Sequence, residues 1–150
     1  MTENAPLLNV ITLGAENVDR LKEFYVALGW PLSVDEELKV FELRGGVLAL
    51  FPVENLARDG RAAPERSRNG IRFAIEVLVN EPNEVDELAR RAEDAGGRVT
   101  KPPVDAEFFE GRSCYFCDPE HNYFEIAWAP PDNLIVAAAR RAAARARETA

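Results

Sequence analysis

Residues 7–13 form a short apolar run closed by Gly14, the pattern of a largely buried strand. From Val18 the period lengthens: Val18, Leu21, Phe24, Tyr25 and Leu28 share one helical face, with Asn17 as N-cap and Gly29 as stop. Strand patterns return around Val34 and at residues 40–43 and 47–51, the last two reading as a hairpin turning at Arg44-Gly45-Gly46. Residues 52–70 are polar, without an apolar period, and predict a surface connection. Its Arg58, Arg61, Arg66 and Arg68 are offset by Glu54, Asp59 and Glu65, which favours a solvated loop over an anion site.

The pattern then repeats. Residues 71–79 read as a strand, and Asn83 or Asn80 starts a helix with the stripe Val85, Leu88, Ala89, Ala92 and Ala95, closed by Gly96-Gly97. Arg98-Val99 makes a short strand, and Lys101-Pro102-Pro103 breaks regular structure. Residues 115–128 predict two strands joined by the tight turn Asp118-Pro119-Glu120-His121-Asn122. Pro130-Pro131 stops the last strand. Residues 133–147 are helical by propensity, with only Leu134, Ile135 and Val136 to bury, so they form a docked appendage or a frayed tail.

The element order is therefore βαβββ twice. Val18-Asp19-x-Leu21 and Gly29 recur as Val85-Asp86-x-Leu88 and Gly96 at an offset of 67 residues, and the closing hairpins align Phe41 on Phe116 and Leu48 on Phe124. One such unit cannot bury its own sheet, so two must pack together. The fold class this implies is α+β: two βαβββ modules forming a curved mixed sheet around a cleft, with a C-terminal helical tail. Residues 1–132 make one domain (module one 7–52, connection 53–70, module two 71–129), and 133–150 make the tail.

Composition narrows the possible partners. A formal charge of −8 disfavours nucleic acid and anionic membranes, which need a basic face. The tail carries four Arg and one Glu, or +3, which leaves −11 on residues 1–132. No apolar run reaches membrane-spanning length and the first residues lack a basic, then apolar leader, so a cytoplasmic protein is expected. Cys114 and Cys117 form a single C-x-x-C inside a strand, where the two thiols point to opposite faces and cannot complete a four-thiolate zinc site. They read as buried strand cysteines rather than redox groups.

The phrase Thr12-Leu13-Gly14 before Val18-x-x-Leu21-x-x-Phe24-Tyr25-x-x-Leu28-Gly29-Trp30, the duplication, and the hairpin Phe116-x-Asp118-Pro119-x-x-Asn122-x-x-Glu125 together resemble the vicinal oxygen chelate superfamily. Glyoxalase I, bleomycin-resistance proteins and extradiol dioxygenases form that group. In its metal-using members the resemblance implies four inward ligands, from the first and last strand of each module. Carried over by position, these fall on Val10, Ala49, Ala74 and Glu125. Three are hydrocarbon, and one carboxylate cannot hold a divalent ion. No metal cofactor is expected. His121, where the family often has Gly, reads as a turn residue at positive φ. The resemblance also implies a homodimer.

Strand alternation places Phe73, Ile75, Val77 and Val79 against the helices and Arg72, Ala74, Glu76 and Leu78 toward the cleft. On the closing strand Phe124, Ile126 and Trp128 face the helices, and Tyr123, Glu125 and Ala127 face the cleft. Leu8, Val10 and Thr12, and Val47, Ala49 and Phe51, are their counterparts in module one. The expected ligand-binding residues are Arg72, Glu76, Glu125, Tyr123, Phe51, Val10, Ala49 and Ala74, around a small organic molecule held by shape and few polar anchors. Either Arg72 pairs with Glu125, or Glu76 and Glu125 crowd and one carboxyl is pushed up. Phe108-Phe109 reads as a rim, a lid or a dimer contact. The alternative to binding is a lyase or isomerase of the same superfamily with Glu125 as general base, with or without a divalent metal; without one, Arg72 would stabilise the oxyanion. A third reading, an interaction protein, rests on the tail.

Overall fold

A computed structural model describes residues 5–148; the first four residues and the last two of the predicted tail lie outside it. The first module is β1 (Val10–Ala15), α1 (Val18–Ala27), β2 (Leu32–Asp35), β3 (Lys39–Leu43) and β4 (Gly46–Pro52). A short helix, α2 (Val53–Gly60), leads out of it. The second module is β5 (Ala74–Leu78), α3 (Pro82–Asp94), β6 (Arg98–Asp105), β7 (Arg112–Cys117) and β8 (Tyr123–Trp128), and α4 (Leu134–Glu148) follows. Each module forms its own four-stranded mixed sheet, in the orders β1-β4-β3-β2 and β5-β8-β7-β6, with the first and last strands parallel. The α+β duplication read from the sequence is the observed architecture. Phe41 pairs with Leu48 and Phe116 with Phe124, matching the alignment of the two hairpins.

Local chemistry explains most of the boundaries. Asn17 Oδ1 accepts the Arg20 N–H at 3.0 Å and starts α1, and Gly29 leaves it at φ 90°. Gly45 turns the β3–β4 hairpin at φ 99°. His121 sits at φ 64° in the β7–β8 turn, the backbone state expected of it. Asn133 Oδ1 accepts the Ile135 and Val136 N–H groups and caps α4. Only Val136 of that helix's first three residues is buried, while Leu134 and Ile135 are exposed.

Five details depart from the sequence reading. Residues 53–60 are helical rather than loop, because Val53 and Leu56 pack over Gly14, where a Cβ would come within 3.1 Å of Val53. The helix α3 is capped by Glu81 rather than an Asn, with Pro82 fixing its first turn. The strand β6 runs through Pro102-Pro103; it is the sheet edge, where missing donors are tolerated, and its register shifts there. Residues 7–9 and 71–73 stay outside β1 and β5. Phe73 therefore does not pack on the helices and is 58% exposed.

The two sheets turn their helix-bearing faces to one common core. Leu13, Leu48, Leu50 and Phe41 from the first, Cys114, Phe116, Phe124 and Ile126 from the second, and Leu21, Phe24, Tyr25, Val85 and Ala92 from α1 and α3 belong to it. Aromatic contacts cross between modules: Phe24 lies 6.2 Å from Phe116, and Tyr25 and Trp30 lie 6.0 and 5.7 Å from Phe124. Both cysteines are free and buried, Cys114 in this core, and burial pushes the Cys114 thiol up to about 11.

A polar clasp reinforces the junction. The Asp118 carboxylate, 2% exposed, accepts from the Glu120 and Asn122 N–H groups, the Asn122 side chain, and the Tyr25 hydroxyl at 2.5 Å. Burial and the Asp118 charge hold the Tyr25 phenol well above its usual range. Glu120 accepts the Glu16 and Asn17 N–H groups ahead of α1. Ser67 ties in the connecting segment: its N–H reaches Glu16, and its hydroxyl donates to the Glu120 carbonyl and lies 2.7 Å from His121 Nδ1. Among the described residues no helix is long and apolar enough to cross a membrane.

Candidate functional site

With the helix faces in the core, the opposite, open face of each sheet is left for chemistry. On the second sheet the register places four polar side chains in one row across all four strands. Glu76 of β5 pairs with Glu125 of β8, Glu125 with Tyr115 of β7, and Tyr115 with Lys101 of β6. The Tyr115 hydroxyl donates to Glu125 Oε1 at 3.0 Å. Lys101 Nζ lies 5.1 Å from the Tyr115 ring centre and donates to Ser113 Oγ at 2.5 Å.

Glu125 is 9% exposed, the buried member of the row. Glu76 is exposed as a residue, yet desolvation of its carboxyl is the largest effect on it, followed by the hydrogen bond and charge of Glu125. Together they push Glu76 up to about 7. Desolvation, then Glu125, pushes the Tyr115 phenol up to about 12, so it stays a donor. Near neutrality the Glu76 carboxyl therefore holds its proton about as readily as it releases it. Of the two sequence alternatives, carboxylate crowding is the one found; Arg72 is exposed and makes no ion pair among the described residues.

The matching row on the first sheet is Thr12, Ala49, Val40 and Val34, apolar but for one hydroxyl. The expected residues thus divide between two sheets. Ala74, Glu76, Tyr123 and Glu125 lie together on β5 and β8, and the Tyr123 hydroxyl donates to Asn69 Oδ1 at 3.3 Å. Val10, 52% exposed, and Ala49 lie on β1 and β4. Phe51, at the end of β4, lines a separate open cavity of about 550 Å³ with Asn55, Arg58 and Asp59. Sequence reasoning missed Tyr115 and Lys101. Hairpin counting would have found Tyr115: the turn pairs Cys117 with Tyr123, which puts Tyr115 opposite Glu125.

The donor set does not fit a divalent metal. The side chains of Val10, Ala49 and Ala74 offer no lone pair, Glu76 and Glu125 are the only carboxyls in the row, and no imidazole stands in it. Among the described residues no group of three or more His, Cys, Asp or Glu side chains is placed to hold a metal ion.

A family model described as the glyoxalase/bleomycin resistance protein/dioxygenase superfamily matches residues 7–126. No curated protein matches the chain. Among solved structures, a glyoxalase-related enzyme from Fulvimarina pelagi is 32% identical, with a TM-score of 0.74 over 84% of this chain and 90% of that one. A glyoxalase/bleomycin resistance protein/dioxygenase from Nocardioides is 24% identical, TM-score 0.73, covering 87% of each chain. A lactoylglutathione lyase from Agrobacterium tumefaciens is 22% identical, TM-score 0.64, over 83% of this chain and 95% of that one. The last two likenesses concern the fold alone.

Proposed function

The chain belongs to the glyoxalase/bleomycin resistance protein/dioxygenase superfamily, and from that premise we propose that it binds a small organic ligand on the open face of the second sheet, without a metal. The observation that carries this reading is the Glu76–Glu125 pair, with Tyr115 donating to its buried member. Crowding two carboxylates costs stability, and a fold keeps such a cost most readily where a ligand uses it. The pair accepts hydrogen bonds from an incoming donor, while Tyr115, Tyr123 and Ala74 supply apolar surface beside it. In the same reading Val10, Ala49 and Phe51 of the first sheet contribute contacts as a second copy's open face closes over the ligand, so the protein works as a homodimer.

The experiment is a thermal-shift panel of organic amines, carboxylic acids and neutral aromatic compounds against the protein and its Glu125→Gln variant. A ligand at one hundred times its Kd stabilises by about 2.7 kcal/mol, a readily measured rise. Rises that shrink in Glu125→Gln support the site. Compounds that stabilise both proteins equally, or none that stabilise either, contradict it. Light scattering tests the dimer, and a monomer at micromolar concentration removes it.

One observation favours a second reading, proton transfer. A carboxyl near 7 both takes and gives a proton at neutral pH, which suits a lyase or isomerase acting on an acidic C–H bond. In that case Glu76 is the base that exchanges the proton, and Glu125, held by Tyr115, is the positioning residue. Exchange of substrate hydrogen into deuterium oxide, lost in Glu76→Gln, is the test.

A further inference from the structure

Away from that row, beside the far end of β8, the loop between β6 and β7 folds back over the sheet and leaves an open cavity of about 450 Å³. That is the size of a small-molecule site. Phe109 and Trp128 give it aromatic surface, and Asp105 and Glu110 give it carboxylates. The loop is built rather than loose. Ala106 N–H donates to the Gly111 carbonyl at 2.9 Å, and a Cβ on Gly111 would stand 2.2 Å from the Trp128 carbonyl and 2.7 Å from the Phe109 ring. Only glycine there lets the Phe109 ring lie down against the Trp128 strand. Phe108 beside it is 91% exposed, a large ring held in water at the rim.

The charges around the cavity have a definite sign. Its one lining cation, Arg112, is already engaged: Nε and an NH2 nitrogen meet the two Asp86 oxygens at 2.8 and 2.7 Å, and the same nitrogen donates to the Pro103 carbonyl. Asp105 and Glu110 make no ion pair among the described residues. The α3 N-terminus also borders the cavity through Pro82, which has no N–H, and the Asn80 and Glu81 N–H groups behind it are already taken by the Glu84 carboxylate. Those two N–H groups are therefore closed to an anion. A cation finds two carboxylates and two aromatic rings.

We propose that this cavity is a second binding site, distinct from the Glu76–Glu125 row, for an organic quaternary ammonium group carried on a small apolar body. Aromatic faces attract such a cation without having to satisfy hydrogen bonds, and a group that cannot shed a proton or donate strongly suits a site rich in rings. The two carboxylates set the sign of charge, and Phe108 is positioned to cover the bound group.

The two tryptophans make the test direct, because both pack against the core but only Trp128 lines the cavity. In ¹⁵N-labelled protein, choline and benzyltrimethylammonium are titrated while both indole N–H resonances are followed, with Trp128→Phe assigning them. The expected result is a saturable shift of the Trp128 resonance, Trp30 staying in place, and no comparable shift from 3,3-dimethyl-1-butanol, the uncharged isostere of choline. Phe109→Ala is expected to weaken binding about tenfold, the scale of one well-formed cation–π contact. Asp105→Asn combined with Glu110→Gln weakens it at least as much, and an unmoved Trp30 resonance certifies that each variant is folded. No saturable shift, an equal response to the alcohol, or undiminished binding in the double variant overturns the proposal.

Discussion

Glu76→Gln is expected to stabilise the protein at alkaline pH and to leave it nearly unchanged at acid pH. The wild-type carboxyl is carried from its ordinary 4.5 to about 7 in the folded state. A raised acid holds its proton more tightly folded than unfolded. Its contribution to stability is therefore complete below 4.5, is lost as the pH rises through 7, and is gone above about 8. At about 1.4 kcal/mol for each tenfold change in proton affinity, the loss is at most roughly 3 kcal/mol. Glu76 is an exposed residue and solvent screens its charge, so about 1–2 kcal/mol is the realistic figure. Glutamine keeps the shape and removes the charge. Urea denaturation of both proteins at pH 5.5 and 8.5 measures the difference, and the thermal midpoint at pH 8.5 should rise by roughly 2–4 °C for each kcal/mol. A wild-type-to-variant difference that does not change between the two pH values refutes the raised Glu76 carboxyl, whatever its absolute size.

Four further outcomes follow from the same structure. Asp118→Ala strips the Tyr25 hydroxyl and the Glu120 and Asn122 N–H groups of their acceptor and is expected to cost at least about 3 kcal/mol in urea denaturation; a loss under 1 kcal/mol contradicts the clasp. Gly97→Ala pushes a Cβ to 2.8 Å from both the Cys117 carbonyl and the Phe24 ring and should cost about 1–3 kcal/mol, since neither neighbour can retreat from the core. Among the described residues of the tail only the Val136 side chain is buried, so a chain lacking residues 133–150 should stay folded with a loss below about 3 kcal/mol in urea denaturation; unfolding would make the tail part of the core. Chelators should leave the thermal midpoint unchanged, and stoichiometric divalent metal in purified protein would sink the metal-free reading.

The fold was legible because its signals are local and occur twice. The stripe of α1, the Asn17 cap and the repeat of Val18-Asp19-x-Leu21 after 67 residues need no knowledge of the other module. The misread elements depend on distant partners. Only Val53 of α2 is fully buried, and its packing surface is Gly14, far back in the chain. Phe73 has the alternation of a helix-facing residue, but the strand begins after it, so no helix waits there. At the site, alternation alone put Glu125 and Glu76 on one face. Their contact needed the parallel β5–β8 register, which no local pattern encodes. Tyr115 was within reach by counting back from the hairpin turn. Lys101 was hidden by the two prolines after it, which read as the end of regular structure and not as an edge strand.

The two matching rows on the open faces, Glu76-Glu125-Tyr115-Lys101 and Thr12-Ala49-Val40-Val34, occupy equivalent places in a duplicated fold. Neither contributes to the common core, which is made from the opposite faces. Stability and chemistry are therefore written on different sides of the same strands. One row can therefore be apolar and the other polar within the same duplicated fold. The same separation limits where the first sheet can be re-equipped: Thr12, Val34 and Val40 stand outside the core, whereas Ala49 is buried and a carboxylate there would have to be matched by new partners.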